Sequence, residues 1–303
     1  MSRFLYRACG LTLALPLSCP PLSSAAADTE TPDVEIIYGE TPRTLPAPIV
    51  EDRHWQVEPN RFLYRMGRYG RYLVENGRRI TVTRYPETTD ADVCFHLLYV
   101  CLALVMQQRD LFVLHANTVR IGDRAVSFAG RSGAGKSTLL AALVAEGYPM
   151  LADDVTVIDA LAAQQASVRP GFPHYKLCLD AAERLGTDED VMTPVRWRRR
   201  KVGIQAAAAD FSDEPAPLIA LFLLDQYDGD KVICTPLSGV EKFAALREHT
   251  YGPDGMGPLL AQSRVAMQVA SSVPIFRLLR PRTGWTIDEV VATVKQQVTG
   301  VVA

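Results

Sequence analysis

The apolar positions of this chain change their grouping partway along, and the change divides it. Up to about residue 90 they come in short runs broken by turn residues. Residues 34–38 read as a strand, and the apolar stretches 62–74 and 79–84 flank Glu75-Asn76-Gly77-Arg78. Asn-Gly tolerates the positive φ angles of a tight hairpin turn, so a hairpin is expected there. Residues 90–108 read as a buried helix. Beyond it the pattern becomes strand, turn, strand, loop and helix, an α/β signature. Strands are expected at 111–119, 125–129, 148–157, 218–224, 231–235 and 273–278. An amphipathic helix is expected at 136–146, with further helices at 239–249, 257–272 and 287–298. No internal repeat is present. The expected organisation is a β-rich accessory domain over 1–90, a linking helix over 91–110 and an α/β core over 111–303.

Composition narrows the classes. The chain has 303 residues, 48 % apolar and 22 % charged, which excludes disorder as its main state. A net charge of −2 gives no footprint for bulk nucleic-acid binding. Locally, residues 53–84 hold eight Arg against two Glu. This is either a solvated strand face or a docking surface for an acidic partner, with Arg68 and Arg71 as candidates. The apolar run 93–106 is shorter than the ~20 residues needed to cross a bilayer. Arg3, Arg7 and the apolar residues 8–17 mimic a secretory signal. Gly10, Thr12, Pro16 and Ser18 interrupt that run, and its alternation suits a strand, so a domain strand in a cytoplasmic protein is expected. The six Cys, at 9, 19, 94, 101, 178 and 234, form no CxxC pair and read as buried reduced thiols.

The chemistry concentrates between residues 112 and 158. Gly130-Arg131-Ser132-Gly133-Ala134-Gly135-Lys136-Ser137 fits G-x-x-x-x-G-K-[ST], between an expected strand and an expected helix. In such a loop glycines let consecutive N–H groups converge on phosphates, and the helix dipole favours anions. Lys136 would reach the β- and γ-phosphates, the Ser137 hydroxyl would bind Mg²⁺, and Thr138 follows in the same turn. Asp153-Asp154 lies at a strand end 17 residues past Lys136. Adjacent residues of an extended chain face opposite ways, so one carboxylate can meet a metal and the other an acceptor hydroxyl. An ordinary Asp-Asp turn is the alternative. His115, 21 residues before Lys136, is either a site residue or a satisfied core histidine.

His115, the loop 130–137 and Asp153-Asp154 in that order resemble the bacterial HPr kinase/phosphorylase family, within the phosphoenolpyruvate-carboxykinase-like phosphate-loop proteins. The resemblance implies an α/β fold with a P-loop mixed-sheet core. It implies Asp153 as catalytic acid/base, His115 as its partner near the phosphates and Asp154 as a metal or structural carboxylate. ATP and Mg²⁺ are the implied cofactors, and transfer of the γ-phosphoryl group to a serine of a peptide or protein the implied activity. The family's downstream glycine-rich segment is missing, so neither the reverse reaction nor HPr as substrate is implied. Tyr6-Arg7-Ala8-Cys9-Gly10-Leu11, Pro170-Gly171-Phe172-Pro173 before Lys176-Leu177, His249-Thr250-Tyr251 and Val273-Pro274-Ile275-Phe276-Arg277-Leu278 look like features of the shorter relatives that phosphorylate lasso-peptide and other modified-peptide precursors.

Arg196, Arg198, Arg199, Arg200 and Lys201 form a basic cluster. Arg200 and Lys201 are the candidates for touching the transferring phosphate, against a solvated basic turn. His249 is either a further site residue or a helix C-cap. The loop 252–257 is either a lid or a plain connection. The expected partner is a peptide or protein with an acceptor serine, without nucleic acid or membrane, and a homo-oligomer is compatible. The rival readings are a non-catalytic ATP-binding regulator and a small-molecule kinase.

Overall fold

The computed structural model describes residues 3–25, 31–160, 165–195, 200–252 and 260–302. These divide into two compact units, one of residues 1–113 with 251–262 and one of residues 114–250 with 263–303. The helix expected over 91–110 to link the two parts belongs to the first unit, and residues 251–262, expected in the core, belong to it too.

The first unit is built on a nine-stranded sheet among the described residues. Its centre pairs Val34–Tyr38 in parallel with Arg79–Thr83, which is antiparallel to Gly70–Glu75. Asn76 (φ 53°) and Gly77 (φ 61°) close the expected Asn-Gly hairpin. The stretch 62–74 is not one strand. It folds back on itself as Arg61–Met66 and Gly70–Glu75 around a 3₁₀ turn at Gly67–Tyr69. Gly70 permits this, because a Cβ there would stand 2.5 Å from the Thr83 carbonyl oxygen. Phe4–Ala8 and Leu11–Leu15 form a hairpin inside the same sheet, and Leu13, Ala14 and Leu15 are buried.

Asp90–Gln108 forms a continuous 19-residue helix over the residues expected, with one π turn at Leu97–Cys101. Thr89 and Asp92 begin it with reciprocal capping bonds. Among the described residues it is the one helix long and apolar enough to cross a membrane, and 83 % of its apolar window is buried inside the protein. All six cysteines are free thiols, four of them buried.

The second unit centres on three mutually parallel strands, Arg124–Gly130, Ala216–Tyr227 and Ile275–Pro281. Ala116–Ile121 runs antiparallel beside Arg124–Gly130, and Met150–Ala152 antiparallel beside that. Ile233–Pro236 closes the opposite edge. Helices Lys136–Ala145 and Ile287–Val302 pack together and contribute to a core with Phe128, Phe222 and Leu278. Lys136–Ala145 is apolar nearly all round, with Leu139 to Val144 all buried, so it is a core helix and not the expected amphipathic one.

Two expected strands are interrupted. The stretch 111–119 breaks at His115, and 148–157 breaks over Asp153 to Val155. A three-stranded antiparallel sheet, Met192–Pro194, Lys201–Gln205 and His174–Cys178, has no counterpart in the sequence reading. Of the helices, Gly239–Glu248 and Ile287–Val302 lie where the pattern puts them, and Leu260–Ser272 covers most of 257–272.

The Phe222 ring, fully buried, stacks between Phe128 (centroids 5.9 Å) and Phe276 (5.1 Å). Phe222→Ala should cost about 3–5 kcal/mol through lost burial and a residual cavity. Urea unfolding reads this out, and a loss under about 1 kcal/mol would show that this stack is not central to the core.

Candidate active site

The sheet directions gather the motif residues. The loop leaves the C-terminal end of Arg124–Gly130, the end at which ligands bind in open parallel sheets. Ala116 pairs with Ala129 and Thr118 with Ala152, both antiparallel. His115, at the start of one neighbour, and Asp153-Asp154, at the end of the next, therefore reach the same edge as the loop.

Gly130 (φ 150°) has no alternative side chain, because a Cβ would meet the Leu224 carbonyl oxygen at 2.4 Å. Gly133 and Gly135 also hold positive φ, 89° and 110°, and Gly135 caps helix Lys136–Ala145. The Lys136 ammonium is buried and donates to the Gly130 carbonyl at 2.7 Å, folded over its own loop. Burial pulls its pKa down, while the Asp154 and Asp153 carboxylates act against that fall. Arg131 and Ser132 are exposed, and Ser137 and Thr138 are half-buried in the first helical turn. Arg131 pairs with Glu248 at 3.0 Å, an exposed contact of little energetic weight.

Two residues that the sequence reading did not single out brace this loop. Leu224 pairs with both Gly130 and Leu278, so Gln226 and Arg280, paired with each other two positions on, overhang the loop. Gln226 donates to the Gly133 carbonyl at 2.9 Å. Arg280 donates through Nε to the Ala134 carbonyl at 2.9 Å and through Nη2 to the Gly133 carbonyl at 3.2 Å. With these carbonyls held outward, the loop N–H groups are left to the opposite side.

The two aspartates are sorted by their surroundings. Val155 N–H donates to the Asp153 carbonyl at 2.7 Å, forming a tight turn that forces Asp154 to φ 60°. Such strain in a non-glycine residue is typical of functional sites. Asp153 is 3 % exposed. Its Oδ2 accepts the Lys176 backbone N–H at 2.9 Å, and its buried Oδ1 has no hydrogen-bond partner among the described residues. Burial, then the Asp154 charge, pushes its pKa up to about 7. Asp154 is also desolvated, but the Lys176 ammonium 2.6 Å away outweighs this and holds its carboxyl well below the usual range. Its backbone N–H donates to Asn117 Oδ1 at 3.2 Å.

His115 Nε2 lies 4.0 Å from Asp154 Oδ1, too far for a hydrogen bond. Desolvation lowers the ring's pKa to about 4, so it is neutral at pH 7. Its backbone N–H donates to the His249 carbonyl at 2.8 Å. His249 is the C-cap of Gly239–Glu248, and its ring feels Lys136 and Arg131, so the cap also borders the loop. Lys201 acts on the charges of Lys136, Asp153 and Asp154 from the strand paired with that of Lys176. Arg200 is brought to none of these groups. It is exposed, and its carbonyl accepts the Leu179 N–H. Arg196, Arg198 and Arg199 lie outside the described residues, as do residues 253–257 of the expected lid.

The described residues hold no cluster of three or more His, Cys, Asp or Glu set for a metal. Mg²⁺ with a nucleotide needs only one or two protein ligands, the rest being phosphate and water. An ionised Asp154 and the Ser137 hydroxyl fit that requirement.

No protein-family profile and no curated protein matches the chain. Among solved structures it is similar to the Hpr(Ser) kinase/phosphatase from Coxiella burnetii, at 14 % identity and a TM-score of 0.29, over 62 % of this chain and 98 % of that one. A likeness at that level carries no argument about function, which rests instead on the residues above. The architecture itself comprises a mixed α/β core, in which a glycine-rich loop joins a strand to a helix, and a β-rich N-terminal unit.

Arg280→Ala should loosen the loop and weaken ATP binding about tenfold, roughly the worth of one charged hydrogen bond. Arg280→Lys should recover only part, because an ammonium cannot span two carbonyls as a guanidinium does. Titration with a fluorescent ATP analogue measures both variants, and unchanged affinity in Arg280→Ala would remove the bracing role.

Proposed function

We propose that this chain is an ATP-dependent kinase of HPr-kinase type, acting on a serine of a peptide or protein. One observation carries the reading: a phosphate loop and two adjacent carboxylates with opposed pKa shifts meet at one sheet edge. A pair separated in this way divides the labour of acid/base and electrostatic roles. Asp153, near pH 7 in its titration, suits a general base, and Asp154 stays ionised and suits a cation. The loop N–H groups and Lys136 hold the triphosphate, with Ser137 and Asp154 as ligands for Mg²⁺. Bound there, Mg²⁺ would neutralise phosphate charge as it builds on the leaving group.

In the transfer the serine oxygen forms a bond to the γ-phosphorus. The bond from that phosphorus to the β,γ-bridging oxygen breaks, and its electron pair leaves with ADP. The hydroxyl proton passes to Asp153. Its Oδ1 is buried, so the hydroxyl reaches it as the adjoining surface shifts on substrate binding. Lys201 and His249 border the site and are placed to contact phosphate or substrate, with His115 beside Asp154. A ribosomally made precursor peptide of the lasso type is the substrate class supported by the short sequence features. The need for ATP favours a cytoplasmic setting.

Lys136→Ala should weaken ATP binding at least tenfold, and unchanged affinity would refute the phosphate-loop assignment. Asp153→Asn should abolish transfer of labelled phosphate from ATP to serine peptides while leaving ATP affinity nearly intact. Equal loss of both would count against its role as base. The wild-type rate should climb as pH rises through about 7, as the carboxyl with the raised pKa ionises. The folded state holds the Asp153 proton more tightly than the unfolded chain, whose carboxyl titrates near 3.8. This group's stability contribution is therefore complete below about pH 4 and lost as pH rises to about 7, and Asn in its place removes that slope. Label appearing on a metabolite instead would favour a small-molecule kinase, and label on neither a non-catalytic ATP-binding regulator.

A further inference from the structure

The first unit carries a cavity of about 460 Å³ lined by Arg43, Arg53, His54, Arg65, Arg71 and Tyr85, with Met66, Gly67 and Gly70 between them. That volume falls within the ~300–1,000 Å³ of small-ligand sites. Among the described residues no carboxylate lines it. Arg65 and Arg71 face each other directly across antiparallel strands. Like charges so placed are destabilising, so the fold bears a cost to keep them together.

The two guanidinium groups are oriented chiefly by neutral acceptors. Arg71 donates to Thr41 Oγ1 at 3.1 Å, to the Thr41 carbonyl at 3.2 Å and to the Tyr85 hydroxyl at 2.8 Å. Arg65 donates to the Asp52 carbonyl at 2.7 Å, and its nearest carboxylate, Glu51, is 3.9 Å away and half exposed. The Arg65 Nε is buried without an acceptor among the described residues. Asp52 is spent on the backbone N–H groups of His54 and Trp55. Arg43 and Arg53 are exposed and make no ion pair among the described residues. Guanidinium groups held in this way suit paired, bidentate recognition of oxyanions.

We propose that this cavity is a docking site for an acidic segment of a peptide, one presenting two or more carboxylates. The peptide is favoured over a small anion by what adjoins the cavity. Val50–Glu51 ends the sheet, pairing with Trp55–Glu58 on one side only, and Arg53 and His54 lie in the turn between the two strands. An extended chain added at that edge sends alternate side chains to one face, about 7 Å apart, so that successive acidic residues fall within reach of different arginines. Arg71, a candidate from the sequence, is in the cavity. Arg68 is not, lying exposed against Tyr69. As substrate docking, this rests on the peptide-kinase reading, but binding is measured without turnover, so the two can fail separately.

The test is fluorescence anisotropy of the full chain with a fluorescein-labelled hexaglutamate peptide, at saturating Mg·ATP. Arg43→Glu with Arg53→Glu should weaken binding tenfold or more, and Arg65→Gln should weaken it with the cavity charge lowered by one. Arg3→Glu with Arg78→Glu makes the same net-charge change away from the cavity and should alter binding less than twofold. Equal weakening by both pairs would reduce the effect to bulk charge and overturn the site. Absence of binding at millimolar chain would do the same. If tripolyphosphate binds a Lys136→Ala chain at this cavity more tightly than the peptide does, the ligand is a small phosphate and the peptide assignment falls. Hexaglutamate has no hydroxyl to accept phosphate, so its binding reads docking alone. A serine peptide carrying the same acidic segment that binds but takes no label from ATP would leave the docking site standing and sink only the kinase reading.

Discussion

Everything at the candidate site depends on how closely three parallel strands approach where Gly130 leaves the sheet. The Leu224 carbonyl takes the space a Cβ would need, which fixes glycine at the start of the loop. The same register sets Gln226 and Arg280 over the loop, where they hold the Gly133 and Ala134 carbonyls. Backbone pairing thus turns a flexible glycine-rich segment into an oriented array of N–H donors. The antiparallel neighbours then deliver His115 and the Asp pair to the same edge, because a strand that runs the other way begins where its partner ends.

Electrostatics divides what geometry gathers. Asp153 and Asp154 are adjacent in sequence and both poorly hydrated, yet their protons are held very differently. Lys176 does most to separate them: its ammonium lies 2.6 Å from Asp154 and reaches Asp153 less strongly, while its backbone N–H donates to Asp153, and His115 and Lys201 add to the pull on Asp154. Lys176 and Lys201 come from neighbouring strands of the small three-stranded sheet, so that sheet acts as the positive wall of the site. The positive φ of Asp154 is the local strain that accompanies turning two consecutive carboxylates toward different partners.

The first unit applies the same chemistry to a different end. Its arginines are held by hydroxyls and carbonyls at the wall of an open cavity, and the Arg65 Nε lacks an acceptor among the described residues. At the loop of the second unit, the half-buried Arg280 lies against the Gly133 and Ala134 carbonyls that it braces. What separates a structural arginine from a receptive one is where its donors already point, which residue type alone does not reveal.

The phosphate loop, its strand and helix, the Asn-Gly hairpin and the approximate positions of most helices in the α/β core were legible in the sequence, because each is written in local steric and hydrogen-bonding preferences. Glycine spacing sets where φ can turn positive, and an apolar run sets what must be buried. The breaks at His115 and at Asp153 to Val155 were not legible, since both runs look like continuous strand until a distant partner, the His249 carbonyl in one case, takes the backbone N–H. The strands bearing Lys176 and Lys201 are short and lack a clear period, so only their pairing reveals them. A buried lysine between Tyr175 and Leu177 was the one local hint. The sequence by itself determined the glycine-rich loop, its lysine and the paired carboxylates, and their order along the chain. Only the tertiary structure decided that Arg280 braces the loop, that Arg71 faces a cavity while Arg68 faces water, and which aspartate keeps its proton. Those outcomes depend on through-space distance and desolvation, and neither is encoded in the spacing of residues along the chain.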